Sequence, residues 1–172
     1  MFKKLDIKAT LIAGGLAALL FCIPAFIYIS NAYYPDTWLL YLGSFFFLVV
    51  IWLHTMRENK KRGFNESTVA MIFNSHMATI TGVLISAVVC FLLLIVMVPG
   101  FFSRTPDKEL TGEPANMITG ATDGLAFQVF LAAIVINFTV GSFAGIVLPF
   151  YEKRNQTKDR REPTPFHQKG TK

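Results

Sequence analysis

Residues 77–102 read MATITGVLISAVVCFLLLIVMVPGFF, a run of mostly apolar side chains that contains no charged residue. A helix of about 20 apolar residues crosses the ~30 Å hydrocarbon core of a bilayer. Lipid offers peptide groups no hydrogen-bond partner, so a run of this kind must satisfy them within a helix. The segment is therefore predicted to be a transmembrane helix, and it decides the fold class of the chain.

Three further uncharged runs share this character, at residues 9–29, 37–53 and 125–150. The chain has 172 residues, of which 53% are hydrophobic and 16% charged, whereas a soluble domain has about 25% charged residues. This composition excludes a soluble two-domain enzyme. It predicts an all-α integral membrane protein, with one four-helix transmembrane bundle in residues 1–155. A basic tail follows at 156–172, and its composition predicts disorder.

The distribution of Lys and Arg predicts the orientation of the bundle. With both termini in the cytoplasm, 14 of the 16 basic residues lie inside and two, Arg104 and Lys108, lie outside. Cytoplasmic connections carry this excess of positive charge, which predicts a multi-pass membrane protein with both ends in the cytoplasm. An alternative makes residues 9–29 a cleaved signal peptide, with Ser30-Asn31-Ala32 as its cleavage site. The length of the run and Pro24 near its end favour an uncleaved span.

The connection between the second and third runs allows two interpretations. A charged turn at residues 57–62 ends at Gly63, and Asn65 is predicted to cap a helix that starts at Glu66. The following apolar residues recur on one helical face: Val69, Ile72 and Phe73. This pattern predicts a short amphipathic interfacial helix before the third span. A cytosolic extension of the third span explains the same pattern equally well.

Small residues recur at four-residue spacing in three of the runs. Lipid tails give helices no hydrophobic reason to associate, so close backbone contact along small-residue faces must hold them together. The predicted helix-packing residues are Gly14, Ala18, Gly82, Ser86, Asn137, Gly141 and Gly145. The first, third and fourth spans are therefore expected to form the packed core. The run Phe45–Phe47 is expected to turn the second span towards lipid or a partner.

Few residues offer chemistry. Asn137 is the strongly polar residue deep in a span, and we expect it to donate an interhelical hydrogen bond; contact with a substrate is the alternative. His54 and His76 lie near the inner boundary, where a paired-histidine haem site is the alternative to ordinary interfacial histidines. Cys22 and Cys90 occupy small-residue columns and are predicted to be packing residues. The sequence predicts no metal or cofactor, and uncharged spans argue against ion-coupled transport.

The layout resembles that of a known family. A charged turn at Met56–Arg62 is followed by Gly63 and a lead-in to Ser75, and the fourth span ends in a basic tail. In this the chain resembles a family of uncharacterised small four-span bacterial inner-membrane proteins, catalogued as a domain of unknown function. The resemblance covers residues 8–155 and implies the four-span fold and a location in the bacterial inner (cytoplasmic) membrane, but it implies no activity.

Function is therefore predicted by class. The leading hypothesis is a non-enzymatic accessory, scaffold or assembly subunit that packs against partner membrane helices or against itself. Its expected surroundings are the bilayer and other membrane subunits, with no nucleic acid. The alternative is a minimal carrier or channel for a neutral or lipid-like solute, working as a homodimer. Its path would be lined by Asn137, Thr79, Thr81 and Ser86.

Overall fold

The chain folds into a bundle of long helices, seen in a computed structural model that describes residues 6–61, 67–102, 110–112 and 121–159. The elements are α1 (Ile7–Asn31), a 3-10 turn (Tyr34–Thr37), α2 (Trp38–Lys61), α3 (Thr68–Met97), α4 (Ala121–Phe130), a π-helical segment (Leu131–Ile136) and α5 (Asn137–Asp159). The last three join into one fourth span. Within the described residues, four helices are long and apolar enough to cross a membrane. The predicted all-α class with four candidate spans is confirmed.

Apolar side chains point outward from the bundle while polar ones are enclosed. Leu84 on α3 is 61% exposed and Leu19 on α1 is 59% exposed, whereas Thr79 and Asn137 are completely buried. A soluble monomer rarely leaves so much contiguous apolar surface in water. This distribution is typical of a multi-pass membrane protein, whose outer surface faces lipid.

The four spans occupy the corners of a square. α1 packs extensively against both α2 and α3, and α5 packs against the same two helices, so α1 and the fourth span lie at opposite corners. The second span is thus a full member of the bundle, and the prediction that turned it towards lipid is wrong for Phe47, which is completely buried. The ring of Phe47 fills the space above Gly82 on α3, where a Cβ would lie 2.8 Å from it. Phe45 and Phe46 do face outward.

The helix of the third span begins at a different residue from the one predicted. Ser67 has an extended backbone, and its side chain accepts a hydrogen bond from the Ala70 amide at 3.2 Å. Ser67 is therefore the N-cap in place of Asn65, because a serine oxygen satisfies the free amides of the first turn. Asn65 and Glu66 themselves lie outside the described residues. From Thr68 the helix runs to Met97 as one element.

The first turns of α3 are amphipathic, with the apolar side facing outward, as expected for a helix that contacts lipid. Val69 and Phe73 are 69% and 55% exposed, while Met71, Asn74 and Ser75 are buried against the bundle. The apolar side therefore faces outward and the polar side faces inward. This segment continues directly into the third span and brings polar side chains into the interior.

At the opposite end of the bundle, the first and third connections are joined by backbone hydrogen bonds. The Thr111 amide donates to the Ala32 carbonyl at 2.9 Å, and the Tyr34 amide donates to the Thr111 carbonyl at 2.8 Å. Gly112 has φ +78°, and a Cβ there would lie 2.8 Å from the Tyr33 ring. Glycine is needed here because it alone adopts this backbone without steric strain.

Candidate functional site

α1 and α3 touch through their backbones at two glycines. A Cβ on Gly14 would lie 2.9 Å from the Gly82 amide nitrogen, and a Cβ on Gly82 would lie 3.1 Å from the Gly14 carbonyl oxygen. Such contact distances leave no room for a side chain at either position. Ala18 lies one turn beyond Gly14 on α1 and is 1% exposed. The first pair of spans is thus closed by direct backbone contact.

The fourth span meets α3 through two more glycines. A Cβ on Gly141 would lie 2.7 Å from the Thr79 hydroxyl oxygen, and a Cβ on Gly145 would lie 3.1 Å from the His76 Nδ1 and from the Ser75 Cβ. The seven predicted packing residues all lie in the interior: Gly14, Ala18, Gly82, Ser86, Asn137, Gly141 and Gly145. Their small side chains are therefore used within the chain.

A polar contact between α3 and the fourth span lies midway through the bundle. The Ser86 hydroxyl donates to the Val83 carbonyl at 3.0 Å and to the Ala133 carbonyl at 3.3 Å. Asn137 donates from Nδ2 to the same Ala133 carbonyl, on its own span, at 3.4 Å. The expected interhelical hydrogen bond is therefore made by Ser86, whereas Asn137 bonds within its span.

A π-helical segment directly precedes Asn137. Residues 131–136 widen the helix, and the Asn137 amide reaches the Ala132 carbonyl five residues back. Such π segments often occur at functional positions, because they shift carbonyls out of the regular ladder. Sequence reasoning missed this segment, since LAAIVI contains no proline, glycine or charge that distinguishes it from ordinary helix.

Several buried polar atoms on α2 and the fourth span have no hydrogen-bond partner among the residues that the structure describes. They are Ser44 Oγ, Thr55 Oγ1, Asn59 Nδ2, Asn137 Oδ1 and Ser142 Oγ. A buried polar group without a partner costs roughly 1–3 kcal/mol, so such groups ordinarily bind water or a ligand. We call these buried groups of α2 and the fourth span the polar interior. They form one of two candidate functional sites.

The two candidate haem ligands point to different places. His76 Nδ1 is 2.9 Å from the Ile72 carbonyl on its own helix, and its ring packs against Gly145. His54 lines a separate groove between α1 and α2. The structure does not bring the two imidazoles to one cavity. Nor do the described residues contain a group of three His, Cys, Asp or Glu side chains placed to hold a metal ion.

A second feature is an apolar groove of about 420 Å³ on the outer side of α1 and α3. Its floor includes Gly15, Ala18 and Cys22 of α1, and Ile85 and Val89 of α3 form part of its wall. Nothing lies within 4 Å of a Cβ built on Gly15. The groove is thus open to an apolar occupant.

The two cysteines lie where α1 meets α3. The side chains of Cys22 and Cys90 are in contact across that interface, and neither takes part in a disulfide. Cys90 is completely buried, while Cys22 is half-buried and borders the outer groove. Both therefore occupy positions that demand small side chains.

Comparisons of the chain with protein-family models, with curated proteins and with solved structures give no match. The resemblance to an uncharacterised four-span family accordingly stays a prediction. Three features of the structure bear on function: the polar interior, the outer groove, and the groove with charged residues between α1 and α2.

Proposed function

We propose that this chain is a non-catalytic membrane subunit that seats a helix of a partner protein in the outer groove between α1 and α3. The observation that supports this is the contrast between two adjacent glycines. The space beside Gly14 is occupied by the backbone of α3, whereas the space beside its neighbour Gly15 is empty. The other small residues contact neighbouring helices inside the bundle, whereas Gly15 contacts none of them.

The groove has the character that helix docking in lipid requires. Gly15, Ala18 and Cys22 follow one another at helical spacing along its floor, and its walls are apolar. Helices in lipid associate by van der Waals contact, which needs a small-residue floor that lets a second backbone approach. A partner helix with a complementary ridge would therefore gain contacts that lipid chains do not supply.

A photo-crosslinking experiment in native membranes tests this proposal. A photoreactive residue at Leu19, beside Gly15, should yield an adduct with one defined membrane protein, and the same residue at Val96 should not. Val96 is 78% exposed on α3 and does not line the groove. Adding Gly15→Ile should abolish the Leu19 adduct while lowering the melting temperature by less than about 4 °C. A persistent adduct, or a stable monomer without partner in every preparation, would refute the proposal.

We further infer that the protein lies in a bacterial inner membrane with both termini in the cytoplasm. Support comes from the basic residues, which concentrate at the end where α1 begins and α5 ends. The outward Val69 and Phe73 suit an interfacial position for the first turns of α3. A fluorescent reporter fused after residue 172 should fluoresce, and a phosphatase inserted between 103 and 109 should be active. Termini on opposite faces would refute this orientation.

A second function, passage of a small neutral solute, is favoured by the unpaired atoms of the polar interior. The path would pass Asn137, Thr79 and Ser86, all completely buried. Thr81, predicted to line the same path, instead packs against Gly14 in the α1–α3 contact. A neutral solute with both donor and acceptor groups fits, because the unpaired atoms include hydroxyls, an amide nitrogen and an amide oxygen.

Flux into liposomes separates this second function from the first. Glycerol uptake by the wild-type protein should exceed that of empty liposomes, and Asn137→Leu should return it to background. Thr81→Val is the matched control, because it removes a polar group in the α1–α3 contact and should leave uptake unchanged. Background flux from the wild type and the Asn137 variant alike would dispose of a carrier role for such solutes.

A further inference from the structure

A groove of about 470 Å³ runs between α1 and α2 at the end of the bundle where the chain begins. Its rim carries charged side chains from both helices, among them Lys8, Arg57 and Lys61, together with His54. Its floor is aliphatic. The groove therefore changes from charged to apolar along its length.

Both carboxylates at this rim already have partners. Asp6 caps α1, and its Oδ1 accepts a hydrogen bond from the Ala9 amide at 3.1 Å. Glu58 is buried and accepts from the Lys61 Nζ at 2.6 Å. Lys8 and Arg57 line the same rim, are exposed, and form no ion pair within the described residues. Five charged side chains line the groove, namely Lys8, Arg57, Lys61, Asp6 and Glu58, so the opening has a net charge of +1.

The apolar floor of the groove leads from the charged rim towards the middle of the bundle. Ile12 and Leu16 continue the groove along α1, and Val50 and Leu53 line it from α2. From Lys8 to Leu16 the helix rises about 12 Å, which extends from the membrane boundary well into one leaflet. An occupant that fits must carry an anionic head at the rim and an apolar chain towards the bundle middle.

We propose that this groove binds one anionic phospholipid, with its phosphate at Lys8 and Arg57 and one acyl chain along Ile12, Leu16 and Val50. The planar guanidinium of Arg57 suits a phosphate because it presents two parallel N–H donors. The site is independent of the outer groove on α1 and α3 and of any partner bound there. It differs from general attraction to a charged membrane surface because it predicts that only the basic residues lining the groove matter.

Native mass spectrometry of the full chain in non-ionic detergent tests the site. Phosphatidylglycerol should be retained at one molecule per protein and at least tenfold more tightly than phosphatidylcholine with the same chains. Arg57→Gln should weaken phosphatidylglycerol binding about fivefold, since a basic residue at a membrane surface contributes ~1 kcal/mol. Lys8→Gln together with Arg57→Gln should weaken it about 25-fold.

Lys60→Gln is the matched control. Lys60 lies three residues from Arg57 on the same helix and is exposed, but it does not line the groove. Its substitution should leave the affinity within twofold, and the melting temperatures of all variants should agree. An equal loss in Lys60→Gln would overturn the site in favour of diffuse surface charge. Equal binding of phosphatidylcholine, or equal competition by free glycerol phosphate, would also overturn it.

Discussion

The α1–α3 side of the bundle and the α2–fourth-span side are built on opposite principles. On the first side, Gly14 and Gly82 bring two backbones into contact, and Cys22 meets Cys90 farther along the same pair of helices. On the second side, buried hydroxyl and amide groups such as those of Ser44 and Asn137 lie without partners. Close backbone contact stabilises a helix pair in lipid, whereas unpaired polar groups destabilise it. The first side therefore holds the fold, and the second retains polar groups that stability alone does not require.

The largest effect is expected where the backbones touch. Gly14→Val would place a Cβ 2.9 Å from the Gly82 nitrogen and the Thr81 side chain, so the helices must separate. We expect the free energy of unfolding to fall by about 3 kcal/mol, the upper part of the range for overpacking. Gly15→Val is the same exchange at the adjacent residue, so it changes helix propensity by the same amount. It should cost under about 1 kcal/mol, because its Cβ meets open space. Denaturant titration in mixed micelles measures both; equal losses would break the comparison.

An intermediate effect of opposite sign is expected at Ser44. This residue is 3% exposed and its hydroxyl has no partner, so Ser44→Ala should raise the free energy of unfolding by about 1 kcal/mol. The same denaturant titration detects it. A fall in stability would instead mean that water or a solute satisfies this hydroxyl in the membrane. In that case, the buried hydroxyl of Ser44 would have a hydrogen-bond partner, and the contrast between the two sides of the bundle would weaken.

The smallest effect is expected at the interhelical hydrogen bond between α3 and the fourth span. Ser86→Ala removes the donor to the Ala133 carbonyl and should lower the free energy of unfolding by ~0.6 kcal/mol, the average for such bonds in membranes. Ser86→Cys is the control for volume, because it is close to serine in size but is only a weak donor, so it should lose about as much as Ser86→Ala. A loss above about 2 kcal/mol would show that this bond organises the π-helical segment as well.

The four helices were predictable because each run is long, uncharged and flanked by polar residues. The small residues at four-residue spacing were recognisable for the same reason: lipid leaves close approach as the main source of helix affinity. Gly14, Gly82, Gly141 and Gly145 all lie at helix contacts. What could not be read was which helix each one meets, since spacing along one helix carries no information about its neighbour.

The misses have the same origin. Phe45, Phe46 and Phe47 are chemically identical, and only the empty space above Gly82, on another helix, selects Phe47 for burial. Serine and asparagine are both favoured N-cap residues, so residue type alone did not identify Ser67 as the cap. The charged groove of Lys8 and Arg57 is likewise formed by residues nearly fifty positions apart, which only the pairing of α1 with α2 brings together.

The hydrogen bonds of Thr111 have a mechanical consequence. Because one residue of the third connection is bonded to Ala32 and Tyr34 of the first, these two connections cannot move apart independently. These hydrogen bonds hold that end of the bundle together. We therefore expect the helices to separate first at the other end, and water to reach the centre from there. We expect the first water to enter beside Asn59 and Asn74, which are buried there on α2 and α3.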